Sequence, residues 1–262
     1  MQVNKMFRLD GKIALVTGGG RGIGKFIATG LAEAGADLII TSRKLKNLED
    51  TAKELEASCG VTVLPLACDV ANPDDIETMF RAAVEKFQRI DVLFNNSGVT
   101  WGAPTLEYPL EKWEHLFNVN VRGVWILTQK VANLMKVNGG GNIINISSMA
   151  AFRGFDENVL PSIPYGSSKG AINLLTIDLA VKLAKYNIRV NAIAPGYFRT
   201  DIVSHYEDPG MKPIYDQLLQ GIPLNRIADT DDMKGVAVFL ASDASAYMTG
   251  HVLRVDGGFT VK

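Results

Sequence analysis

A doubly wound α/β fold, with about seven parallel strands and helices on both faces, is what this sequence predicts. Three observations carry it. Short β-branched runs alternate with longer amphipathic stretches, the pattern of successive βαβ units. The runs are apolar nearly throughout, as expected of strands covered on both faces. The first run ends in Thr17-Gly18-Gly19-Gly20-Arg21-Gly22-Ile23-Gly24, a glycine-rich turn that leads directly into a helical pattern. The 262 residues, 47% of them hydrophobic, are enough to bury the core of a single α/β domain spanning 1–262.

Taken in order, the strands are expected at Lys12 to Thr17, Ala36 to Ser42, Val61 to Ala67, Asp91 to Phe94, Asn142 to Ser147, Ile188 to Ala194 and His251 to Val255. Apolar residues at helical spacing place helices between them at about 22–34, 45–57, 73–88, 109–136, 164–186 and 229–241. The C-terminal ends of parallel strands line one crevice, so function is sought there. One irregular stretch of length remains, Gly196 to Leu224, rich in proline and aromatic residues. A loop that long in a compact domain is usually functional, and 196–224 is expected to be a substrate lid. From Asp201 to Leu219 it alternates apolar residues (Ile202, Val203, Met211, Ile214, Leu218, Leu219) with polar ones (Ser204, His205, Asp208, Gln217), the pattern of a short amphipathic cover.

Composition narrows the partners. With 27 basic and 28 acidic residues the net charge is −1, which gives no electrostatic case for nucleic acid or an anionic membrane. Two cysteines, Cys59 and Cys68, make no disulfide framework, and the first ten residues lack the apolar core of a signal peptide. No run of 18 apolar residues occurs, so a cytoplasmic protein is expected. His115, His205 and His251 are too scattered for metal ligation, and no metal site is predicted.

The glycine-rich turn fits a pyrophosphate. Glycines at 18, 22 and 24 permit a tight turn and close approach of the backbone, and the following helix N-terminus favours an anion. What reads the ribose sits at the end of the second strand, Thr41-Ser42-Arg43-Lys44, where an acid would bind a 2′-hydroxyl and a base a 2′-phosphate. There is no acid, and Arg21 can reach the same place. An arginine pair suits a phosphate, so NADP(H) is preferred, with NAD(H) possible. Asp69, in Cys68-Asp69-Val70 after the third strand, either holds the adenine edge or caps the next turn.

Tyr165 and Lys169 lie four apart on a predicted helix, hence on one face, seventeen residues after Ser148. An ammonium beside a phenol lowers its pKa toward the range useful for acid-base catalysis.

These motifs together resemble the short-chain dehydrogenase/reductase family, over essentially the whole chain. The glycine motif matches Thr17, Gly18, Gly22 and Gly24. The family's Asn-Asn-Ala-Gly segment matches Asn95-Asn96-Ser97-Gly98, with serine in place of alanine. Its helix asparagine falls on Asn120, its serine on Ser148, its tyrosine and lysine on Tyr165 and Lys169, and its Pro-Gly-x-x-x-Thr segment on Pro195, Gly196 and Thr200. The interval from Ser148 to Tyr165 is about four residues longer than the family's usual one, which leaves Ser147 as a competitor for the serine role. The resemblance implies reversible hydride transfer between a nicotinamide and a carbonyl or secondary alcohol carbon. It makes Tyr165 the proton donor, Ser148 a second hydrogen-bond donor, and Lys169 both the tuner of the phenol and a holder of the ribose. Asn120 either fixes a water for the proton or braces the backbone. The cofactor is expected to touch Thr17, Gly18, Gly20, Arg21, Gly22, Ile23, Gly24, Ser42, Arg43, Asp69, Val70, Asn96, Gly98, Tyr165, Lys169, Pro195, Gly196 and Thr200. A homodimer or homotetramer is implied, packed through the helix from 109 to 136 and the one carrying Tyr165.

Trp101, Phe152, Arg153, Phe198 and Tyr206 are expected to contact substrate, with Met149, Tyr197 and Ile202 nearby. The wording of the chain resembles both 3-oxoacyl reductases and gluconate 5-dehydrogenases, and apolar ketones are slightly favoured. Arg153 either binds a substrate carboxylate or faces solvent. Two rivals are a nonenzymatic NADP(H)-binding sensor, which would not need the Tyr165 device, and a nucleotide-sugar epimerase or dehydratase, whose glycine spacing usually differs.

Overall fold

The computed structural model describes residues 2–200 and 212–262. In chain order the first elements are α1 (Val3–Met6), β1 (Ile13–Thr17), α2 (Gly22–Glu33), β2 (Asp37–Ser42), α3 (Leu45–Cys59), β3 (Val63–Ala67) and α4 (Pro73–Phe87). Then come β4 (Val92–Asn95), α5 (Leu110–Phe117), a π-helical turn (Asn118–Gly123), α6 (Val124–Val137), β5 (Gly141–Ile146) and α7 (Ile163–Leu183). The remainder is β6 (Ile188–Pro195), α8 (Lys212–Gln220), α9 (Thr230–Ala241) and β7 (Val252–Val255).

Successive side chains of a strand point to opposite faces, both covered by helices, which is why these strands are mostly apolar. In β1, Ala14 and Val16 enter one hydrophobic layer, Ile13 and Leu15 the other. Leu38 and Ile40 oppose Ile39 in the same way, and Ile144 and Ile146 oppose Ile143. The first layer is closed by α2, α3 and α9, the second by α4, α6 and α7.

Among the described residues the strands form one seven-stranded sheet in the order β3-β2-β1-β4-β5-β6-β7, every neighbouring pair parallel. After β3 the chain crosses to the far side of β1, so the order reverses between β1 and β4. The connections leave that point in opposite directions and open a crevice at the strand C-termini. Buried polar groups lock the walls. Asn95 Nδ2 donates to Thr128 Oγ1 of α6 and to Asn145 Oδ1 of β5, both at 2.9 Å, and Asn145 Nδ2 donates to Thr176 Oγ1 of α7 at 2.9 Å. Each group is satisfied, so the network fixes α6 and α7 against the sheet at a definite height.

The helix expected over 109–136 is divided. A π-helical turn separates α5 from α6, and Gly123 within it packs where a Cβ would collide with the Val70 carbonyl. The expected irregular stretch 196–224 contains α8, and its residues 201–211 lie outside the described residues, with Ile202, Val203, His205, Tyr206 and Met211 among them. No described helix is long and apolar enough to cross a membrane.

Candidate active site

One continuous cleft of about 390 Å3 runs along the crevice, from Arg43 at one end to Tyr165 and Lys169 at the other. Its floor is the β1–α2 turn. Gly18 and Gly22 have φ of +69° and +51°, a region L side chains rarely adopt, and a Cβ on Gly24 would overlap the Gly18 carbonyl. The turn therefore folds back on the start of α2, whose first N–H groups have no partner within the helix. These are the requirements of a pyrophosphate cradle, and the residues present fit a dinucleotide.

The far end of the cleft is lined by Arg21, Ser42, Arg43, Lys44 and Asn47, with no carboxylate among them. Such a lining suits a ribose 2′-phosphate. Asp69 lines the cleft and also braces the turn before α4, its Oδ1 accepting from the Ala71 N–H at 2.9 Å. Beside it, burial pushes the Cys68 thiol up to about 11, so it stays protonated.

At the reactive end the Ser148 hydroxyl lies beside the Tyr165 phenol and favours its phenolate. Ser147 points elsewhere: its Oγ donates to the Lys169 carbonyl at 3.2 Å and pairs with Asn173 Oδ1 at 2.6 Å, tying the end of β5 to α7. Both serines line the cleft, but only the Ser147 hydroxyl is engaged with α7. Lys169, 4% exposed, donates from Nζ to the Ile146 carbonyl at 2.8 Å and lies 5.8 Å from the centre of the Tyr165 ring. The expected lowering of the phenol pKa by this ammonium is not what the protein alone shows. Burial pushes the Tyr165 phenol up and the Ser148 hydroxyl only opposes it. Burial likewise holds Lys169 down at about 8.

That depression has a measurable consequence. Between about 8 and the ordinary 10.5 the unfolded chain binds a proton at Lys169 that the folded chain does not, so stability rises with pH across that window. Relative to a Lys169→Met variant, the wild type should gain about 2–3 kcal/mol between pH 7 and pH 10, at 1.36 kcal/mol per unit. Urea midpoints of both proteins at the two pH values measure it, and a difference that stays constant would refute the buried-ammonium account.

Asn120, 1% exposed, uses all of its side-chain amide. Oδ1 accepts from the Val99 N–H at 2.9 Å, and Nδ2 donates to the Val99 carbonyl at 3.0 Å and to Ser168 Oγ at 3.1 Å. It clamps the strand leaving β4 to α7, the bracing alternative. Its side chain does not line the cleft.

Seventeen of the eighteen expected cofactor contacts line the cleft. Thr17 does not: its Oγ1 accepts from the N–H groups of Asn96 and Ser97, both at 2.9 Å, and so welds β1 to the loop after β4 from behind. Asn47, Ser97, Val99 and Thr100 line it without having been anticipated. The last three directly follow the Asn95-Asn96 segment, and that position after a central strand is the signal that pointed to them.

The expected substrate residues are placed differently. Phe198, 2% exposed, is in the core, where its backbone bridges to Ala228. Neighbours in an extended segment face opposite sides, and Tyr197 takes the outward one. Trp101 packs edge-on against Tyr108 and under Lys112, away from the cleft lining. Phe152 lies beneath the Arg254 guanidinium. Arg153 sits beside the rings of Phe155 and Phe259. Neither Phe152 nor Arg153 lines the dinucleotide cleft itself. Tyr206 is outside the described residues.

The longer interval after Ser148 is a built wall. Glu157 Oε2 accepts from the Thr105 N–H at 2.7 Å and from its hydroxyl, which holds this carboxyl below the usual range, and the Ala103 N–H donates to the Pro161 carbonyl at 2.8 Å. The loops after β4 and β5 are thereby joined.

Residues 18–260 match the family model described as Enoyl-(Acyl carrier protein) reductase. The chain is 41% identical over 255 residues to the 2-dehydro-3-deoxy-D-gluconate 5-dehydrogenase of Bacillus subtilis, covering 97% of this chain and 96% of that one. It is 37% identical over 257 residues to the rhamnolipids biosynthesis 3-oxoacyl-[acyl-carrier-protein] reductase of Pseudomonas aeruginosa, covering 97% and 98%. The crystal structure of a gluconate 5-dehydrogenase from Burkholderia cenocepacia, in complex with NADP and tartrate, superimposes with a TM-score of 0.91 at 35% identity, over 100% of both chains.

Proposed function

Because this chain belongs to the short-chain dehydrogenase/reductase family and is an oxidoreductase of that family, we propose that it moves a hydride reversibly between NADP(H) and the carbon of a ketone or secondary alcohol. The observation that carries the proposal is a single cleft joining a pyrophosphate cradle and a basic ribose end to Ser148, Tyr165 and Lys169. The bound NADP of the Burkholderia relative supports the choice of dinucleotide.

When bound, the dinucleotide supplies the hydride. The protein has one proton to manage. In reduction Tyr165 donates from Oη to the carbonyl oxygen as charge develops there, and a raised phenol pKa keeps that proton in place at neutral pH. Ser148 turns its hydroxyl from Tyr165 to the same oxygen. Lys169 holds the nicotinamide ribose, and its charge favours the phenolate left behind. Asn120 keeps Val99 and Ser168 in place beside this path and contributes to proton exit. The segment 196–224 acts as the lid over the substrate, its helix α8 seated through Tyr215, Leu218 and Leu219 on Ile222 and Ile227.

The proposal includes a cytoplasmic homodimer or homotetramer. It is supported by a groove on α5 to α7 lined by Phe117, Val121, Trp125, Leu174 and Leu175, with Leu174 68% exposed. A contiguous apolar patch on a soluble chain is usually a contact surface.

NADPH oxidation with 3-oxoacyl thioesters, keto sugar acids and neutral ketones tests the reading. At least one class should be turned over, faster with NADPH than with NADH. The paired change Ser42→Asp with Arg43→Ala should reverse that preference, since an acid there accepts from a 2′-hydroxyl and repels a 2′-phosphate. Tight NADPH binding without turnover of any class would favour the sensor instead.

A further inference from the structure

Arg153 is exposed, close to Ser148 in the chain and beside two aromatic rings. It follows Ser148 by five residues, beyond a single 3-10 turn (Met149–Ala151). Its guanidinium carbon lies 5.6 Å from the Phe155 ring centre and 5.1 Å from that of Phe259. These two rings are nearly parallel, 5° apart in plane, and Phe259 meets Tyr197 edge-on at 5.5 Å. Tyr197 directly follows Gly196, which lines the cleft with Ser148 and Tyr165. Aromatic contacts therefore run from Tyr197, the chain neighbour of a cleft residue, through Phe259 to Arg153. The inner end of this row of rings packs with Tyr215, Leu218 and Leu219 of α8.

Guanidiniums on a protein surface ordinarily find carboxylates; two, Asp156 and Glu157, stand close by in sequence, and a third, Asp256, is three residues before Phe259. Each is committed to neutral donors. Asp156 Oδ1 accepts from the N–H and Nδ2 of Asn158, both at 2.9 Å. Glu157 is bound to Thr105. Asp256 accepts from the N–H groups of Gly258 and Thr260, both at 3.0 Å, and from the Thr260 hydroxyl. Nearby Arg254 already donates to Thr260 Oγ1 at 3.3 Å. Arg153 has no hydrogen bond and no ion pair among the described residues, only its aromatic neighbours. The rings lie beside the guanidinium and take none of its five N–H donors. A planar fork matches a carboxylate in two parallel hydrogen bonds.

We infer that Arg153 is the anchor for the carboxylate of an acid substrate, a small polyhydroxy or keto acid whose carbonyl carbon reaches Tyr165 while its other end rests on these rings. This rests on the oxidoreductase reading for the location of the reacting carbon. It goes beyond that reading in naming an anion as the substrate and Arg153 as its reader.

Calorimetric titration of the NADP+-saturated protein with D-gluconate, and with sorbitol as its uncharged counterpart, is the test. The wild type should bind gluconate more tightly than sorbitol, and the ratio should fall about 10–100-fold in Arg153→Ala, the range for one charge-assisted pair. Arg153→Lys should recover part of it, because the charge remains and the fork does not. NADPH titration of each variant checks that the nucleotide half is folded. An unchanged gluconate-to-sorbitol ratio in Arg153→Ala, or equal binding of the two by the wild type, overturns the anchor. If neutral ketones then still consume NADPH, the oxidoreductase reading stands without it. If gluconate binding depends on Arg153 while no ketone of any class consumes NADPH, the anchor stands and the oxidoreductase reading falls.

Discussion

Replacing Tyr165 by phenylalanine should lower kcat by about 100-fold or more while NADPH binding stays within about twofold. The ring and its packing remain and only Oη is lost, so the substitution removes the group with the proton and little else. General acid catalysis is typically worth 100- to 10,000-fold, which sets the scale. Ser148, beside Tyr165 in the cleft, offers only an alcohol hydroxyl and cannot replace the phenol. Steady-state rates of NADPH oxidation against fluorescence titration of the same preparation separate the two effects. Retention of more than about a tenth of the rate would assign the proton to another group. Parallel loss of binding and turnover would make Tyr165 a structural residue of the cleft.

Gly24→Ala should abolish function by the opposite route, through the cradle. The added methyl meets the Gly18 carbonyl at a backbone position, and neither atom belongs to a side chain that can rotate away. The turn must open or α2 must back off β1. Overpacking of this kind costs about 1–3 kcal/mol, which for a chain of this size lowers Tm by roughly 2–4 °C per kcal/mol. The larger effect falls on the ligand. Moving the first turn of α2 withdraws charge-assisted backbone donors at about 1.5–3 kcal/mol each, so NADPH affinity should fall by about 100-fold. Thermal melts with and without NADPH read both changes at once. Ligand-induced stabilisation equal to that of the wild type would show that the cradle does not depend on Gly24.

Much of this was legible in the sequence because the relevant signals are local. All seven strands were readable from short apolar runs, since two-sided burial leaves no polar face to obscure them. The glycine turn was readable because positive φ and backbone contact exclude other residues. The π-helical turn was not. An extra residue in one turn changes backbone hydrogen bonding while the apolar spacing on either side continues, and periodicity therefore reported one helix from 109 to 136. Direction was the other gap. Phe198 sits beside Gly196 in the chain, which suggested the cleft, but the segment is extended there and its alternate side chains enter the core. Trp101 and Phe152 lie off the dinucleotide cleft for a related reason: sequence proximity to Gly98 and Ser148 fixes where the backbone is, and the partners Tyr108 and Arg254 decide where the rings go. Thr17 is the subtler case, a motif residue that supports the cradle without facing it.

The reversal of strand order between β1 and β4 also divides the chain by role. Everything that distinguishes one dinucleotide from another, from Arg21 through Asn47, belongs to the segment before β4, whereas Ser148, Tyr165, Lys169 and Arg153 all follow it. Many seams cross the division: β1 pairs with β4, α9 packs on α2 in a shared core with Lys234 bonded to Glu33, Lys130 of α6 meets Glu77 of α4, and Thr17 accepts from Asn96 and Ser97. By role, the molecule is still a two-part assembly written on one chain, with the choice of reductant on one part and the chemistry on the other. A chimaera joined at Asn96 would take its cofactor from one parent and its substrate from the other only where the β1–β4 pairing and the α2–α9 packing of the two parents match.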